Sequence, residues 1–438
     1  MTRRQRKRDI EAEIIDLSHD GRGVAKLDGK TVFISGALTG ERVRARIHTS
    51  KKHFEEGHVL EVLEASPLRV EPPCPHFEVC GGCSLQHLKA EAQIEAKQHI
   101  LLENFERIGH VRPETVLPPL TDQPWGYRRK ARLGVKWVPA KERAIVGFRE
   151  ALKPMYIADI DSCRVLVPQV GERIHELSAL VTSMDARERI AQIEVAAGDD
   201  ATALVFRNLD PLSAVDTRRL IEFGQRTGLM IYLQPGGNDS VHALWPADAA
   251  LSFRIPAADV ELAFRPLDFV QVNAGMNQRM IARTLDMLDP QPGERVLDLF
   301  CGLGNFTLPI ARRAASVVGV EGEAGLVARA RDNARANGIT NAEFFAADLS
   351  QDLRGEAWVK QGFDKLLLDP PRTGADACIP QLPLEGVRRI VYVSCHPGSL
   401  ARDAGILVRE HGYRLVSAGV MDMFPHTAHV ESIALFER

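Results

Sequence analysis

Apolar, strand-like runs alternate with helical patterns throughout residues 266–438 of the chain. RVLDLF precedes LPIARRA, VVGVE precedes AGLVARARDNARANG, and further apolar runs follow in AEFFAAD, KLLLDPP, RIVYVSC and ESIALFER. Strands separated by helices pair in parallel, because each helix crosses a face of the sheet and returns the chain to the same end. The sequence therefore predicts a C-terminal Rossmann-like α/β domain, a doubly wound parallel sheet with an antiparallel end.

The chain is too long for a single hydrophobic core, and its 438 residues suggest about three domains. Short apolar runs separated by glycine turns between residues 9 and 64 predict a small β-barrel. From about Leu117 to Ala263 the chain mixes strand-like and helical patterns, which indicates an α+β domain. We expect a multidomain protein divided at 1–65, 66–265 and 266–438.

The composition excludes several classes of protein. Hydrophobic residues make up 45% of the chain and charged residues 26%, as in globular proteins. No apolar run approaches the ~18 residues of a membrane span, and the N-terminus lacks the apolar core of a secretory signal. We therefore expect a cytoplasmic protein without a membrane partner. The seven cysteines, an odd and unevenly spaced set, favour metal binding or catalysis over a disulfide framework.

The N-terminus carries a run of basic side chains, namely Arg3, Arg4, Arg6, Lys7 and Arg8. Such an arm can neutralise RNA phosphates, although a solvated terminus has the same composition. The formal net charge of −3 does not indicate a nucleic-acid partner by itself. The arm alone therefore leaves RNA binding open.

The stretch VLDLFCGLGNFTLPIA at residues 296–311 places a glycine-rich turn between a strand and a helix. Gly302 and Gly304 allow the main chain to approach a ligand at the carboxyl edge of the sheet. The turn lacks the GxGxxG pattern of dinucleotide-binding proteins. Glu321 ends the next strand and suits ribose hydroxyls, and Asp348 ends the third strand and suits an adenine edge. Together these features resemble the cofactor site of class I S-adenosylmethionine methyltransferases.

Two further segments carry side chains that are candidates for catalysis. KLLLDPPRTG ends a strand with Asp-Pro-Pro-Arg at 369–372, and IVYVSCHPGSLARD places Cys395 where the following strand ends. A thiolate that adds to carbon 6 of uracil makes carbon 5 a nucleophile that can attack a methyl sulfonium. Glu431, on the run into the last strand, is the carboxylate that we expect to remove the carbon-5 proton. We interpret Cys301 and Cys378 as structural.

A cysteine-rich loop, CPHFEVCGGC, separates Cys74 and Cys80 by five residues and Cys80 and Cys83 by two, and Cys163 follows downstream. Four thiolates suit either a [4Fe–4S] cluster or structural zinc. A spacing of five residues is unusual for zinc, but spacing alone leaves both metals open.

Several motifs resemble those of the bacterial RNA uracil-5-methyltransferases. DFVQVNAGMNQRM, LDPPRTGA, VSCHPGSLARD and FPHTAHVESIALF match motifs of that family, and HDGRGVAKLDGKTVFISGALTGERVRARI resembles a TRAM domain, an OB-like RNA-binding barrel. The cysteine pattern resembles that of the 23S ribosomal RNA branch. This resemblance implies a [4Fe–4S] cluster on Cys74, Cys80, Cys83 and Cys163.

The resemblance also implies roles for individual residues. Cys395 matches the nucleophile of the family, and Glu431 matches its base. The positions that match cofactor contacts for S-adenosylmethionine are Gln271, Phe300, Asn305, Glu321, Asp348 and Asp369. The implied activity is methyl transfer to carbon 5 of a uridine in 23S ribosomal RNA, which we expect from a monomer.

Other functions remain alternatives at this point. The same chemistry could act on a uridine of another RNA, such as transfer RNA, or on carbon 5 of cytosine. A cluster-dependent redox or radical enzyme is a further alternative, although the CxxxCxxC spacing of radical enzymes is absent from the sequence. A noncatalytic RNA-binding protein would leave the chemistry-bearing motifs without a purpose.

Overall fold

The structure is a computed structural model that describes residues 8–438. Arg3, Arg4, Arg6 and Lys7 of the basic arm lie outside the described residues, whereas Arg8 begins the first strand and forms an ion pair with Glu55 at 2.6 Å. The chain divides into two compact units, one of residues up to Ile100 with 149–156 and 424–429, the other of 101–148, 157–423 and 430–438. Within residues 8–438, no helix is both long enough and apolar enough to cross a membrane.

The first unit begins with a six-stranded sheet in the order β1-β5-β6-β4-β3-β2. Consecutive strands β1 and β2 lie at opposite edges of this order. The Ile15 amide, in the link between them, donates to the Val24 carbonyl of β3 at 2.8 Å, as expected for the predicted barrel. Alternate residues such as Val32, Ile34 and Val43 are buried inside it. The strands are β1 (Arg8–Glu13), β2 (Asp16–Leu17), β3 (Gly23–Leu27), β4 (Lys30–Ser35), β5 (Arg42–Ser50) and β6 (Phe54–Glu64).

Apolar residues recur at three- and four-residue steps from Leu85 to about Arg107 and predict a helix there. In the structure this helix begins later, as α1 (Ala90–Asn104). Leu85 and Leu88 lie in the preceding turn, where the side-chain amide of Gln93 donates to both of their carbonyls, at 3.0 and 2.8 Å. Those carbonyls are therefore satisfied without a helical turn. A single π turn, Phe105–Gly109, extends α1.

The second unit contains a six-stranded mixed sheet in the order β13-β12-β11-β10-β8-β9, flanked by helices in an α+β arrangement. A separate hairpin of β14 and β15 follows it. The elements, in chain order, are β7 (Thr115–Val116), β8 (Lys130–Val138), β9 (Arg143–Gly147), α2 (Pro168–Gly171), α3 (Ile174–Ser183), β10 (Ile190–Ala197), β11 (Thr202–Asn208), α4 (Ala214–Thr227), β12 (Met230–Leu233), β13 (His242–Trp245), β14 (Leu251–Ile255) and β15 (Val260–Phe264).

The same unit contains the predicted Rossmann-like sheet, with eight strands in the order β18-β17-β16-β19-β20-β22-β21-β7. The five strands from β18 to β20 are parallel, and β22 inserts antiparallel between β20 and β21. The elements are α5 (Ala274–Leu288), β16 (Arg295–Leu299), α6 (Thr307–Ala311), β17 (Ser316–Glu321), α7 (Ala324–Ala336), β18 (Ala342–Ala346), β19 (Lys365–Leu368), β20 (Arg389–Ser394), α8 (Pro397–Arg409), β21 (Arg414–Met421) and β22 (Glu431–Glu437).

The interior strands of this sheet are buried on both faces. Every residue of β19, KLLL, is buried, as expected for a parallel strand covered by helices on both sides. The sheet also gains β7 from residues 115–116, which pairs in parallel with β21 and which the sequence pattern does not predict.

Candidate active site

The predicted site residues line one edge of the eight-stranded sheet. Parallel strands bring their carboxyl ends to the same edge, and the antiparallel strand β22 begins at that edge. Each of six neighbouring strands therefore has one predicted residue at or just beyond this edge. In the order of the strands across the sheet, these residues are Asp348, Glu321, Phe300, Asp369, Cys395 and Glu431.

Cys395 and Glu431 lie next to each other across two paired strands. Ser394 ends β20 and is the register partner of Ser432 in β22, and the Ser432 hydroxyl donates to the Ser394 carbonyl at 3.1 Å. Cys395 follows Ser394 and Glu431 precedes Ser432, so the antiparallel pairing brings the thiol and the carboxyl to adjacent positions. Cys395 is half-buried and Glu431 is buried.

The environment of this pair disfavours charge. Burial raises the pKa of the Cys395 thiol to about 11, with further contributions from the negative charges of Glu431 and Asp369 and an opposing one from Arg372. Burial, with the Asp369 charge, also raises the pKa of Glu431 well above its usual range. Asp369 itself is raised to a pKa of about 7 by burial. Burial therefore shifts both groups toward their protonated forms relative to the same groups in water.

The loop that carries Cys395 is held by its own hydrogen bonds. His396 is the N-cap of α8, and its Nδ1 accepts from the Ser399 amide at 3.1 Å. The Ser394 hydroxyl accepts from the His396 amide at 3.1 Å. These contacts fix the main chain on both sides of the cysteine.

A buried carboxyl connects this helix to the Asp-Pro-Pro-Arg loop. Asp403 in α8 accepts from the Ala375 amide and from the Tyr392 hydroxyl, both at 2.6 Å. Arg402 adds a bond to the Thr373 carbonyl at 2.7 Å. The loops after β19 and β20 are therefore both held by α8. This shared support fixes the position of Asp369 relative to Cys395.

The glycine-rich turn after β16 adopts a backbone that few residues tolerate. Gly302 and Gly304 have φ of 54° and 93°. Phe300 also has a positive φ, 66°, which is rare for a bulky side chain and indicates a functional constraint. The Phe300 amide donates to the Val320 carbonyl at 2.8 Å, so the strained residue is anchored to the neighbouring strand.

The two acidic residues predicted to contact the cofactor differ in their surroundings. The Glu321 carboxylate accepts from the amides of Gly302 and Glu323, at 3.2 and 3.0 Å, and so joins the glycine turn to the end of β17. Asp348 is exposed, and hydrogen bonds from Ser350 hold the pKa of its carboxyl below the usual value. Both residues lie at the carboxyl edge of the sheet, where a ligand would bind.

Two amide side chains meet beside the glycine turn. Asn305 and Asn277 exchange two hydrogen bonds of 3.0 Å, which orient the Asn305 side chain. Asn277 belongs to α5, whose N-cap Asn273 accepts from the Met276 amide at 3.1 Å. Gln271, half-buried, lies two residues before this cap. Asn277 was not predicted from the sequence, because an asparagine within a helix carries no signal of its long-range partner.

Like Asn277, Asp298 was not predicted from the sequence as a site residue. It is fully buried in β16, and its Oδ2 accepts from the Thr307 hydroxyl at 2.5 Å. Its Oδ1 is buried and has no hydrogen-bond partner among residues 8–438. Burial raises the pKa of Asp298 to about 8. An acid inside the apolar run VLDLF was the available signal.

Cys301 and Cys378 are buried, in agreement with a structural role. Burial raises the pKa of Cys378 to about 12 and that of Cys301 well above its usual range, so neither thiol ionises readily.

The four cysteines of the predicted cluster are all half-buried, and none of them is in a disulfide. Cys74, Cys80 and Cys83 share one loop, in which the Cys80 sulfur accepts from the Gly82 amide at 3.5 Å. The Cys163 amide donates to the Gly171 carbonyl at 2.8 Å. In the part of the chain from residue 8 onward, no three His, Cys, Asp or Glu side chains are already arranged to hold a metal ion.

Comparison with known proteins places the chain among RNA methyltransferases. The family model for tRNA (uracil-5-)-methyltransferase matches residues 251–438, and the TRAM domain model matches residues 3–60.

Curated relatives match almost the whole chain. The 23S rRNA (uracil(1939)-C(5))-methyltransferase RlmD of Xanthomonas campestris pv. campestris (strain 8004) is 62% identical over 98% of this chain and 97% of its own length. The protein of the same name from Stenotrophomonas maltophilia (strain R551-3) is 59% identical over the same shares.

A solved structure shows a similar fold over the full length. The tRNA (uracil-54, C5)-methyltransferase of Pyrococcus abyssi, in complex with S-adenosyl-L-homocysteine, has a TM-score of 0.74 and 26% identity over 98% of this chain and 100% of that one. The shared fold, the family models and the high identity to the curated relatives agree. The chain belongs to the RNA uracil-5-methyltransferase family, in the group of the 23S rRNA (uracil-C(5))-methyltransferases.

Proposed function

We propose that this protein transfers a methyl group from S-adenosylmethionine to carbon 5 of a uridine in 23S ribosomal RNA. The adjacent positions of Cys395 and Glu431, at the sheet edge that also carries the cofactor residues, are the main support. The 62% identity to a 23S rRNA (uracil-C(5))-methyltransferase supports this substrate.

The chemistry assigns one step to each catalytic residue. The Cys395 thiolate attacks carbon 6 of the uracil and forms a C–S bond, which places the electron pair on carbon 5 and the adjoining carbonyl. S-adenosylmethionine, when bound, supplies an electrophilic methyl group. Carbon 5 would take the methyl group, whose bond to the sulfonium sulfur breaks and leaves S-adenosylhomocysteine. Glu431 then removes the carbon-5 proton, and the bond from carbon 6 to the Cys395 sulfur breaks to release the thiolate and 5-methyluridine.

The raised pKa values set the starting state of this cycle. Cys395, with a pKa near 11, enters the cycle as a neutral thiol, and its proton must leave before attack. Arg372 is the neighbouring charge that favours the thiolate. Burial favours the protonated form of Glu431 as well, whereas its role as a base requires the carboxylate. We assign the proton transfers that produce the thiolate and the carboxylate to the step in which RNA binds.

Six residues would hold the cofactor along the same edge of the sheet. Glu321, already an acceptor for two amides, would bind the ribose hydroxyls, and Asp348 would contact the adenine edge. The strained Phe300 would present its main chain and ring to the ligand. The full set is Gln271, Phe300, Asn305, Glu321, Asp348 and Asp369.

We propose that Cys74, Cys80, Cys83 and Cys163 hold a [4Fe–4S] cluster. The four thiols are half-buried and not in disulfides, and an amide already donates to the Cys80 sulfur, which suits a cluster thiolate. Gly81 is confined, since a Cβ there would lie 2.9 Å from the Arg149 carbonyl oxygen. When bound, the cluster would make the loop of Cys74, Cys80 and Cys83 rigid.

The barrel offers a surface for RNA bases. Phe33 and Phe54 lie on its outward face with ring centroids 6.0 Å apart, and the Arg22 guanidinium lies 4.8 Å over the Phe33 ring. Aromatic rings beside a cation suit the stacking of single-stranded RNA bases. We propose that the protein binds RNA there and acts in the cytoplasm as a monomer.

A uridine in transfer RNA is the second candidate substrate, because the Pyrococcus abyssi enzyme with the same fold acts on tRNA. Incubation with labelled S-adenosylmethionine and either a 23S rRNA fragment or total tRNA, followed by nucleoside analysis, separates the two. Labelled 5-methyluridine in the 23S fragment supports the proposal, whereas label in tRNA alone contradicts it.

A further inference from the structure

The segment from Pro266 to Val272 carries Gln271 and is held by basic side chains from elsewhere in the fold. The Lys130 ammonium donates to the Pro266 carbonyl. The Arg329 guanidinium pairs with Asp268 at 2.6 Å. The middle of the segment exposes Phe269, 69% of which is accessible to solvent, so the segment has little packing of its own on that side.

The third basic side chain, Arg129, acts at Gln271 itself. Its Nε donates to the Gln271 carbonyl at 2.8 Å, and its main-chain amide donates to the Val272 carbonyl, also at 2.8 Å. The side chain is only 4% exposed. Of the three cations, Arg129 is the one that contacts a residue expected to touch the cofactor.

The position of this guanidinium is costly for the fold. Its carboxylate partner, Asp199, is 3.9 Å away, and its Nη2 is buried without a hydrogen-bond partner among the described residues. The Phe253 ring, with its centroid 4.5 Å from the guanidinium carbon, provides a cation–π contact but no acceptor. A buried and incompletely paired charge destabilises a protein. A functional role therefore explains Arg129 better than a contribution to stability does.

We propose that Arg129 is a positioning residue of the cofactor site, which holds the Gln271 main chain so that the Gln271 side chain meets the bound cofactor. This inference rests on the proposed role of Gln271. The hydrogen bond from Arg129 to Val272 involves only main-chain atoms, so a substitution of the side chain tests the guanidinium. A purely structural guanidinium would affect unfolding and leave the contribution of Gln271 to cofactor binding unchanged.

A double-mutant cycle distinguishes these roles. The dissociation constant for S-adenosylhomocysteine is measured by calorimetry for the wild type, Arg129→Gln, Gln271→Ala and the double variant. Arg189→Gln is the control, since Arg189 forms an exposed ion pair with Asp210 at 2.5 Å, away from the segment. We expect about tenfold weaker binding in Arg129→Gln, in Gln271→Ala and in the double variant alike. Either change alone removes the same contribution, that of the Gln271 side chain to cofactor binding.

Other outcomes overturn the proposal. If the two losses multiply to about a hundredfold in the double variant, Arg129 does not act through Gln271. If Gln271→Ala binds normally, the proposed role of Gln271 fails and Arg129 has nothing to position, a result distinct from the first. Thermal unfolding is measured in parallel. If Arg129→Gln does not fold, Arg129→Lys replaces it in the cycle, and failure of both to fold assigns Arg129 a structural role.

Discussion

Ser394 in β20 and Ser432 in β22 are register partners, and the Ser432 hydroxyl donates a hydrogen bond of 3.1 Å to the Ser394 carbonyl. This bond stabilises the register of the two strands. This register sets the proposed nucleophile beside the proposed base, because Cys395 and Glu431 occupy the next positions on the two strands. A slip of one residue would turn every side chain of β22 to the opposite face. The proposed catalytic pair therefore depends on the insertion of β22 beside β20.

Replacement of Glu431 by Gln should block the release of product rather than the attack of Cys395. Without a base the carbon-5 proton stays in place, so the methylated RNA remains bonded to the cysteine. We expect a covalent RNA–protein complex that survives denaturing electrophoresis, and turnover reduced by at least about a hundredfold. Glu437→Gln, at the other end of β22 and paired with Arg389 at 2.6 Å, is the control and should turn over normally. Normal turnover in Glu431→Gln would remove it from the mechanism.

The raised pKa of Cys395 predicts a distinctive pH dependence of alkylation. A thiol with a pKa of about 11 is largely protonated at pH 8, and only the thiolate reacts with iodoacetamide. The rate at Cys395, followed by peptide mass mapping, should be slower than that of a free thiol at pH 8 and should rise until about pH 11. In Glu431→Gln the rise should shift to lower pH, because one neighbouring negative charge is lost. A thiol that reacts rapidly at pH 7 would contradict this account.

Substitution on the barrel should affect RNA binding without affecting the cofactor. Phe33→Ala removes a ring of the outward aromatic face, and we expect RNA binding to weaken by about fivefold or more at fixed salt. Arg44→Gln is a matched control, because Arg44 already pairs with Glu61 at 2.6 Å on the outward side of β5. Electrophoretic mobility shift with a 23S fragment measures both variants. Equal RNA affinity in Phe33→Ala and wild type would exclude this surface.

Metal analysis tests the proposed cluster directly. Anaerobically purified protein should contain iron and acid-labile sulfide in the amounts of one [4Fe–4S] cluster per chain, and Cys80→Ser should lose both. Removal of the cluster should lower thermal stability, because binding energy at such a site contributes to folding. Stoichiometric zinc without sulfide would instead establish a structural zinc site.

The parallel part of the large sheet was predictable from sequence, because buried strands such as KLLL read as continuous apolar runs between helices. The family motifs also indicated the residues at the ends of those strands. The pairing of β7 with β21 was not predictable, since a two-residue strand has no pattern of its own.

Long-range polar contacts were equally beyond the sequence. The hydrogen bond of Arg129 to Gln271 joins residues distant in the chain, and the unpaired oxygen of Asp298 depends on complete burial in the folded sheet. Neither property belongs to a local segment. Such contacts emerge only when the strands and loops are assembled.

The central claim is that Cys395 forms a covalent bond to the uracil, and 5-fluorouridine tests it most directly. A 23S rRNA fragment that contains 5-fluorouridine is incubated with S-adenosylmethionine and the protein, and the products are separated by denaturing electrophoresis and mapped by mass. Fluorine cannot leave as a proton does, so the account predicts a trapped, methylated RNA adduct on the peptide that contains Cys395, and no adduct in Cys395→Ala. No adduct in the wild type, with binding of RNA and cofactor demonstrated, would contradict the account.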